Sequence, residues 1–574
     1  MKKIITLLFI SQVFLSACTD LNLSPLSEGS SDNWYSDEDE LNMAVNALYI
    51  DEFWPVDLDV DLNDAITDDM IMRDALTPFT NGNLAGQNAL IVDRWTEAYT
   101  AIARANSIIE NLDRAKESIP EAVLLKFEAE AKFVRASQYA YLISHYGDVV
   151  YYTNTLNIEE SFNLSRTDKN TILQKVYEDY DFAASHLPTT YGSSELKRAT
   201  KGAALAFKAR IALYMGDWAN AGNAAKACMD LNVYQLYPDF ATLFLSKTKN
   251  SKEVIFALPR STELGNNLPW NFSVSRPVTR NAGGFSFYSP SWYLFCSFLC
   301  TDGLPIDESP LFDPRDPWKN RDPRCNATIV QPQTKWLGFM YQNHPDSVLC
   351  WNFKTGKYQI NYDSRGAAVA TAQWASFNGL VYKKFIDEDW TDDRMANNDK
   401  FIIRYADVLL MYAEAKIEQG EIDQSVLDAI NQVRARAYNV GISQTSAYPV
   451  VSTMNQSELR KIVRIERRME FAWEGLRYMD LIRWRLAEKA FMKKSYGLIN
   501  IAQLRTNIVQ KGLWFFPEVP PVDEDGIADF TSMESKGLVK VLAERSFDPS
   551  KGYLWPIPNK EILINSNLTQ NPNY

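Results

Sequence analysis

The first residue placed for chemistry is Cys18. It closes an apolar run that starts near Ile4 and follows Lys2 and Lys3. That order, positive start, apolar stretch and small residues, is the layout of a secretory signal, which we place at residues 1–17. The run is shorter than the roughly 20 apolar residues a spanning helix needs. Leu15-Ser16-Ala17-Cys18 resembles a bacterial lipobox, in which the cysteine thiol is diacylated and becomes the new N-terminus. Acyl chains gain roughly 0.8 kcal/mol per buried methylene, so such a thiol is expected to be a membrane tether and not a catalyst. Residues 18–40 are rich in Ser and Asp and read as the lipidated cysteine with a spacer.

Other reactive types give weaker patterns. Asp57, Asp59, Asp61, Asn63 and Asp64 suggest a calcium loop, but an EF-hand needs Gly at its sixth position and Glu at its twelfth. From Asp57 those positions hold Leu62 and Asp68, and from Asp59 they hold Asp64 and Met70. An acidic loop is the reading, with side chains suited to ligand hydroxyls. His145, His186 and His344 are isolated in sequence. Cys228, Cys296, Cys300, Cys325 and Cys350 are too sparse for a disulfide framework and are expected to be buried. No phosphate-binding glycine loop, H-E-x-x-H or G-x-S-x-G is present. Nothing marks the carboxylate pair a glycosidase needs. No catalytic residue, metal or cofactor is expected.

The segment 460–485, RKIVRIERRMEFAWEGLRYMDLIRWR, is dense in charge of both signs. Arg464, Arg467 and Arg468 lie near Glu466, Glu470 and Glu474, which predicts a structural ion-pair network. The net charge of −13 disfavours nucleic acid as a partner. Aromatic residues make up 13% of the chain, including 15 Trp. They fill cores or stack on sugar rings, and composition does not choose between the two.

These residues need elements to hold them. Apolar residues recur at helical spacing over 98–115, and Pro120 opens a second helix that Gly147 ends. A further helix is stopped by Pro188. Residues 201–232 read as helix, Gly-Asp-Trp turn and helix, with small residues at Ala204, Ala219, Ala221 and Ala225 where helices could approach closely. Residues 404–437 repeat that hairpin, and 455–489 add two helices. Both hairpins look tetratricopeptide-like. Between them helical periodicity fails, and Trp270, Trp292, Trp318, Trp336, Trp351 and Trp374 fall in loops and short strands. The predicted fold is mostly α, a helical-hairpin scaffold (41–250 and 401–490) with an aromatic-rich ligand-binding insertion (251–400) and an irregular C-terminal part (491–574), forming one domain over 41–574.

Several stretches resemble the SusD/RagB family of nutrient-binding outer-membrane lipoproteins of Bacteroidetes. They are AYTAIARANSIIENL (98–112), EAEAKFVRASQYAYLISHYGDV (128–149), CTDGLPI (300–306), RYADVLLMYAEA (404–415), INQVRARA (430–437), IVRIERRMEFAWEGLRYMDLIRW (462–484) and YLWPIPNKEILINSNLTQNPNY (553–574). The resemblance implies a tetratricopeptide-type scaffold with an irregular insertion and a lipid anchor at Cys18 on the outer membrane, facing outward. It implies glycan capture for a SusC-like TonB-dependent transporter, without enzymatic activity. It also points to Tyr288 as a binding aromatic, with Phe285 and Trp292 nearby. Trp270, Trp336 and Trp351 are further candidates, with polar partners Asp69, Arg73, Asn81 and Asn83 from the early loop. Trp95, Trp473, Trp484 and Trp555 are assigned to the core. Alternatives are capture of peptide or another nutrient, a surface glycosidase, or an adaptor that only plugs the transporter.

Overall fold

The computed structural model describes residues 34–54, 64–192, 197–269, 274–366 and 369–574. Cys18, Trp270, Asp57, Asp59, Asp61 and Asn63 lie outside the described residues. No described helix is long and apolar enough to cross a membrane.

Ten helices carry the scaffold: α1 (Glu38–Asn46), α2 (Ala89–Asn111), α3 (Glu121–Tyr146), α4 (Lys169–His186), α5 (Lys201–Tyr214), α6 (Trp218–Met229), α7 (Tyr405–Gln419), α8 (Gln424–Ala437), α9 (Gln456–Glu470) and α10 (Arg477–Arg483). Their ends follow local chemistry. Asp168, Thr200, Asp217, Asp423 and Asn455 each cap a helix by accepting from backbone N–H groups of its first turn. Gly420 ends α7 at a φ of +71°, a conformation that suits glycine.

The helices pack in chain order, α2 on α3, α3 on α4, α4 on α5 and α5 on α6. Helix α6 then packs directly on α7, although some 170 residues intervene, so the two scaffold parts form one stack. Ala204, Ala221 and Ala225 are buried in it, but Ala219 faces solvent, because it occupies the outer side of the first turn of α6. A core of rings lies inside. Trp54 stacks on Phe133 at 5.8 Å and meets Phe256 at 4.8 Å.

The insertion is built from short antiparallel pairs: β1 (Met70–Met72), β2 (Val254–Leu258), β3 (Tyr288–Pro290), β4 (Leu349–Asn352), β5 (Lys357–Ile360) and β6 (Lys400–Arg404). Strand β2 pairs with β6, so the chain enters and leaves this segment side by side. Strand β1 pairs with β3, with Met72 opposite Tyr288, which joins the early loop to the insertion. Strands β4 and β5 belong to a four-stranded sheet with Lys335–Trp336 and Phe339–Met340. The C-terminal part contains short helical turns and a strand pair, Ser495–Gly497 with Lys540–Ala543.

A buried ion-pair network fastens these parts together. Arg404 donates to Glu253, Glu470 and Glu474. Arg436 bridges Glu253 and Glu470, and Arg324 reaches Glu466, Glu470 and Asp322. Arg467 joins Asp407 of α7 to Asp480 of α10. Arg468 and Arg477 clasp Asp68 of the early loop. Burial pushes the Glu470 carboxyl up, but Arg436, Arg404 and Arg324 outweigh it and hold it at about 2. Arg464 stands apart from this network. It lies 5.1 Å from the Trp484 ring centre and 3.7 Å from Asp525.

Candidate functional site

The structure separates the residues the sequence had grouped. Trp292 is 2% exposed, its ring set among Phe516, Phe530 and Phe515, and its indole N–H donates to the Asn378 carbonyl. It belongs to the core, since its helix Trp292–Ser297 is buried at every residue. Tyr288 is also buried, with its hydroxyl accepting from Arg276 at 2.5 Å. Trp336 is buried on an edge strand of the four-stranded sheet. None of these three rings offers a free face for stacking. Asp69 is 1% exposed and accepts two hydrogen bonds from Arg468, so it serves the ion-pair network and not a ligand. Asn81 bridges to Ser546 and accepts from the Asn83 N–H, in a local turn. Trp351 is half-buried, packed edge-on against exposed Tyr358 on the β4–β5 hairpin. Trp95, Trp473, Trp484 and Trp555 are buried.

Two of the expected residues do meet. Arg73, just after β1, donates from Nη2 to the Phe285 carbonyl at 2.5 Å, across 212 positions of chain. Its guanidinium lies 4.9 Å from the Trp374 ring centre, 5.2 Å from Phe287 and 6.0 Å from Phe377. Arg365 lies 4.5 Å from the Phe377 ring, on the same aromatic group. Trp374 is 44% exposed and Phe285 41%, so both rings reach solvent. Arg73 and Ser286 hold φ of +54° and +45°, a left-handed conformation that costs a non-glycine residue about 1 kcal/mol or more.

A second set of bonds holds the loops that present these groups. Asp363 accepts from the backbone N–H of Arg280 at 2.6 Å, from that of Asn281, and from the Asn281 side chain at 2.7 Å. This ties the loop before β3 to the loop carrying Arg365. Arg280 turns back to donate to the Gly284 carbonyl at 2.7 Å. Gly284 is required there, because a Cβ would sit 2.3 Å from the Val278 carbonyl oxygen.

Electrostatics mark this surface. Burial and the neighbouring Arg280 push the Arg73 guanidinium below its ordinary range, with Asp74 working weakly the other way. Arg280 and Arg365 are also lowered, chiefly by burial. Burial raises the Asp363 carboxyl to about 6, against the pull of its N–H donors and of Arg280. Each of the three arginines keeps its Nε buried without an acceptor among the described residues.

Sequence reading missed Trp374, Phe287, Phe377, Arg280 and Arg365. Trp374 stood among the six insertion tryptophans, but nothing in its neighbours singled it out. A separate cavity of about 140 Å³ lies in the scaffold, with Trp54, Tyr141, Tyr478 and Trp555 among its lining residues. Its His145 is pushed down to about 4 by burial, so that imidazole is neutral near neutral pH, while Arg210 also lines the cavity.

Comparisons with known proteins agree with the architecture. A model described as SusD family matches residues 252–574. A second, described as starch-binding associating with outer membrane, matches residues 39–213. SusD-like protein P25 of Formosa agariphila is 28% identical over 404 residues, covering 69% of this chain and 71% of that protein. A SusD-like carbohydrate binding protein of Bacteroides fragilis superposes with a TM-score of 0.75 at 27% identity, over 93% of this chain and 99% of the other. A laminarin binding SusD-like protein shares the fold, with a TM-score of 0.62 at 18% identity, over 94% and 100% of the two chains.

Proposed function

We propose that this chain, which belongs to the SusD family, captures carbohydrate on the open surface formed by Trp374, Phe285 and Arg73. In this reading Cys18 tethers it to the outer membrane, and a SusC-like TonB-dependent transporter receives the ligand. The observation that carries the reading is the Arg73 guanidinium, which lies on the ring of solvent-exposed Trp374 and donates to the backbone carbonyl of exposed Phe285. Sugar rings offer apolar C–H faces to aromatics, and their hydroxyls accept from guanidinium N–H groups. The family descriptions and the names of carbohydrate-binding neighbours support it. The tether and the transporter rest on the signal, the lipobox and family membership.

Binding without hydrolysis is the expected activity. The carboxylates that act on these guanidiniums are Asp74 and Asp363, and Asp363 is buried with both oxygens accepting from Arg280 and Asn281. It is not placed to act as one of two acids flanking a glycosidic bond.

Affinity electrophoresis of the protein starting after Cys18, through gels containing different polysaccharides, tests the reading. Retardation by a subset of gels is expected, with Trp374→Ala weakening it about tenfold, or about 1.4 kcal/mol. Retention by peptides and by no polysaccharide would replace it with peptide capture. Release of reducing sugar from the bound polymer would replace it with hydrolysis.

A further inference from the structure

Three guanidiniums at this surface have no carboxylate partner among the described residues. Among the described residues, Arg73, Arg280 and Arg365 take part in no ion pair, whereas Arg324, Arg404 and Arg467 of the buried network each meet two or more acids. Arg73 spends one N–H on the Phe285 carbonyl and Arg280 spends one on the Gly284 carbonyl. Arg365 makes no hydrogen bond to a described residue, and its Nε is buried without an acceptor, as are those of the other two. All three are half-buried, so water only partly replaces what a carboxylate would supply.

A desolvated cation without a counter-charge is costly, and an arriving anion removes that cost by charge-assisted, bidentate hydrogen bonds. Arginine forks suit the paired oxygens of a carboxylate or a sulfate ester. The acids within reach do not cancel the charge. Asp74 is exposed and forms no ion pair among the described residues. Asp363 is turned toward the N–H groups of Arg280 and Asn281; ionised above about pH 6, it and Asp74 together offset at most two of the three positive charges. The overall charge of −13 sits mostly elsewhere, and at physiological salt it is screened beyond about 8 Å.

We propose that the carbohydrate taken by this surface is an acidic one, whose carboxylate or sulfate groups seat on Arg73, Arg280 and Arg365 while its ring faces stack on Trp374 and Phe285. This rests on the carbohydrate reading above and adds the charge class.

The test uses matched pairs of polymers in affinity gels and in calorimetry: polygalacturonate against methyl-esterified pectin, and κ-carrageenan against agarose. The acidic member of at least one pair is expected to bind, about tenfold or more tighter than its neutral partner, and to weaken as salt rises. Which pair responds separates carboxylate from sulfate. The triple variant R73Q/R280Q/R365Q is expected to lose about ten- to hundredfold in affinity for the acidic polymer with an unchanged unfolding midpoint. Should the triple variant fail to fold, Arg365→Gln alone serves, since that side chain makes no hydrogen bond to a described residue. Trp374→Ala is expected to weaken acidic and neutral polymers alike. Retention by neutral polymers with no preference for the acidic partner overturns the acidic proposal and leaves the carbohydrate reading standing. Retention by peptides and by no polymer of either kind overturns both.

Discussion

Arg404 and Arg73 carry the same guanidinium in opposite settings. Arg404 is buried, 4.6 Å from the Phe471 ring, and donates to Glu253, Glu470 and Glu474. Arg73 lies at a similar distance from the Trp374 ring but meets no carboxylate among the described residues. Aromatic contact is therefore common to both, and the acids make the difference. Glu474 and Glu470 raise Arg404 well above its ordinary range against the effect of burial, whereas burial and Arg280 lower Arg73. A paired arginine is spent on architecture. An unpaired, half-exposed one keeps its donors for something that arrives.

The largest expected effect tests the paired side. Arg404→Ala leaves Glu253, Glu470 and Glu474 short of a counter-charge in a dry interior. Breaking a buried pair in this way costs about 3–5 kcal/mol. Chemical denaturation should show a loss of that size, while polysaccharide retention by the folded fraction stays unchanged. A loss below about 1 kcal/mol would mean that the network contributes little, and the contrast with Arg73 would lose its energetic basis.

The next effect concerns the acid beside the unpaired group. Burial raises Asp363 from 3.8 to about 6 in the folded protein. Its folded form binds a proton more readily than its unfolded form, so stability rises as pH falls through 6 and the gain is complete below the unfolded value. Two units correspond to about 3 kcal/mol between those limits. Arg280 is the charged group facing it, and the Tyr341 and Cys350 side chains that sense it stay neutral because burial raises both. Asp363→Asn should flatten this part of the profile, read as the difference between wild type and variant from about pH 4 to 6. An unchanged difference would show that Asp363 is paired with an arginine after all, and would blur the two settings.

The paired setting was legible in the sequence, and the unpaired one was mostly not. Arg467, Arg468, Glu466, Glu470 and Glu474 crowd charge of both signs into one short segment, which announces a network, but the pairs form elsewhere: Arg467 with Asp407 and Asp480, Arg468 with Asp68 and Asp69, and the glutamates with Arg324, Arg404, Arg434, Arg436 and Lys384. The helices were legible from periodic apolar residues, caps such as Asp168, and the stops at Gly147 and Pro188. The binding surface joins loops distant in sequence, and no local pattern encodes the contact of Arg73 with Phe285 or Trp374. Asp69 shows the same limit, since its partner Arg468 lies 399 positions away. Trp292 carried a signal that favoured the core: the run WYLFCSFLC is apolar but for Ser297, as a fully buried segment is. Trp374, in AQWASF, has small and polar neighbours, and exposure there became visible only once the turn Ala370–Trp374 was placed on the surface.

The smallest expected effect sharpens the contrast from the other end. Lys354 and Asp392 form an ion pair of 2.6 Å, as short as many in the buried network, but their side chains are 44% and 66% exposed. If short distance alone made an arginine or lysine structural, Lys354→Ala would cost as much as Arg404→Ala. Water and salt screen an exposed pair, and ordering two long side chains offsets much of the attraction, so the expected loss is below about 1 kcal/mol. Denaturation of Lys354→Ala beside Arg404→Ala, at low and at high salt, separates the two views. A small, salt-sensitive loss for Lys354 and a large, salt-insensitive one for Arg404 would establish that dehydration, and not proximity, commits a charge to the fold. On that scale the half-buried guanidiniums of Arg73, Arg280 and Arg365, unpaired among the described residues, are intermediate. They are dry enough for an anion to matter and open enough for one to enter.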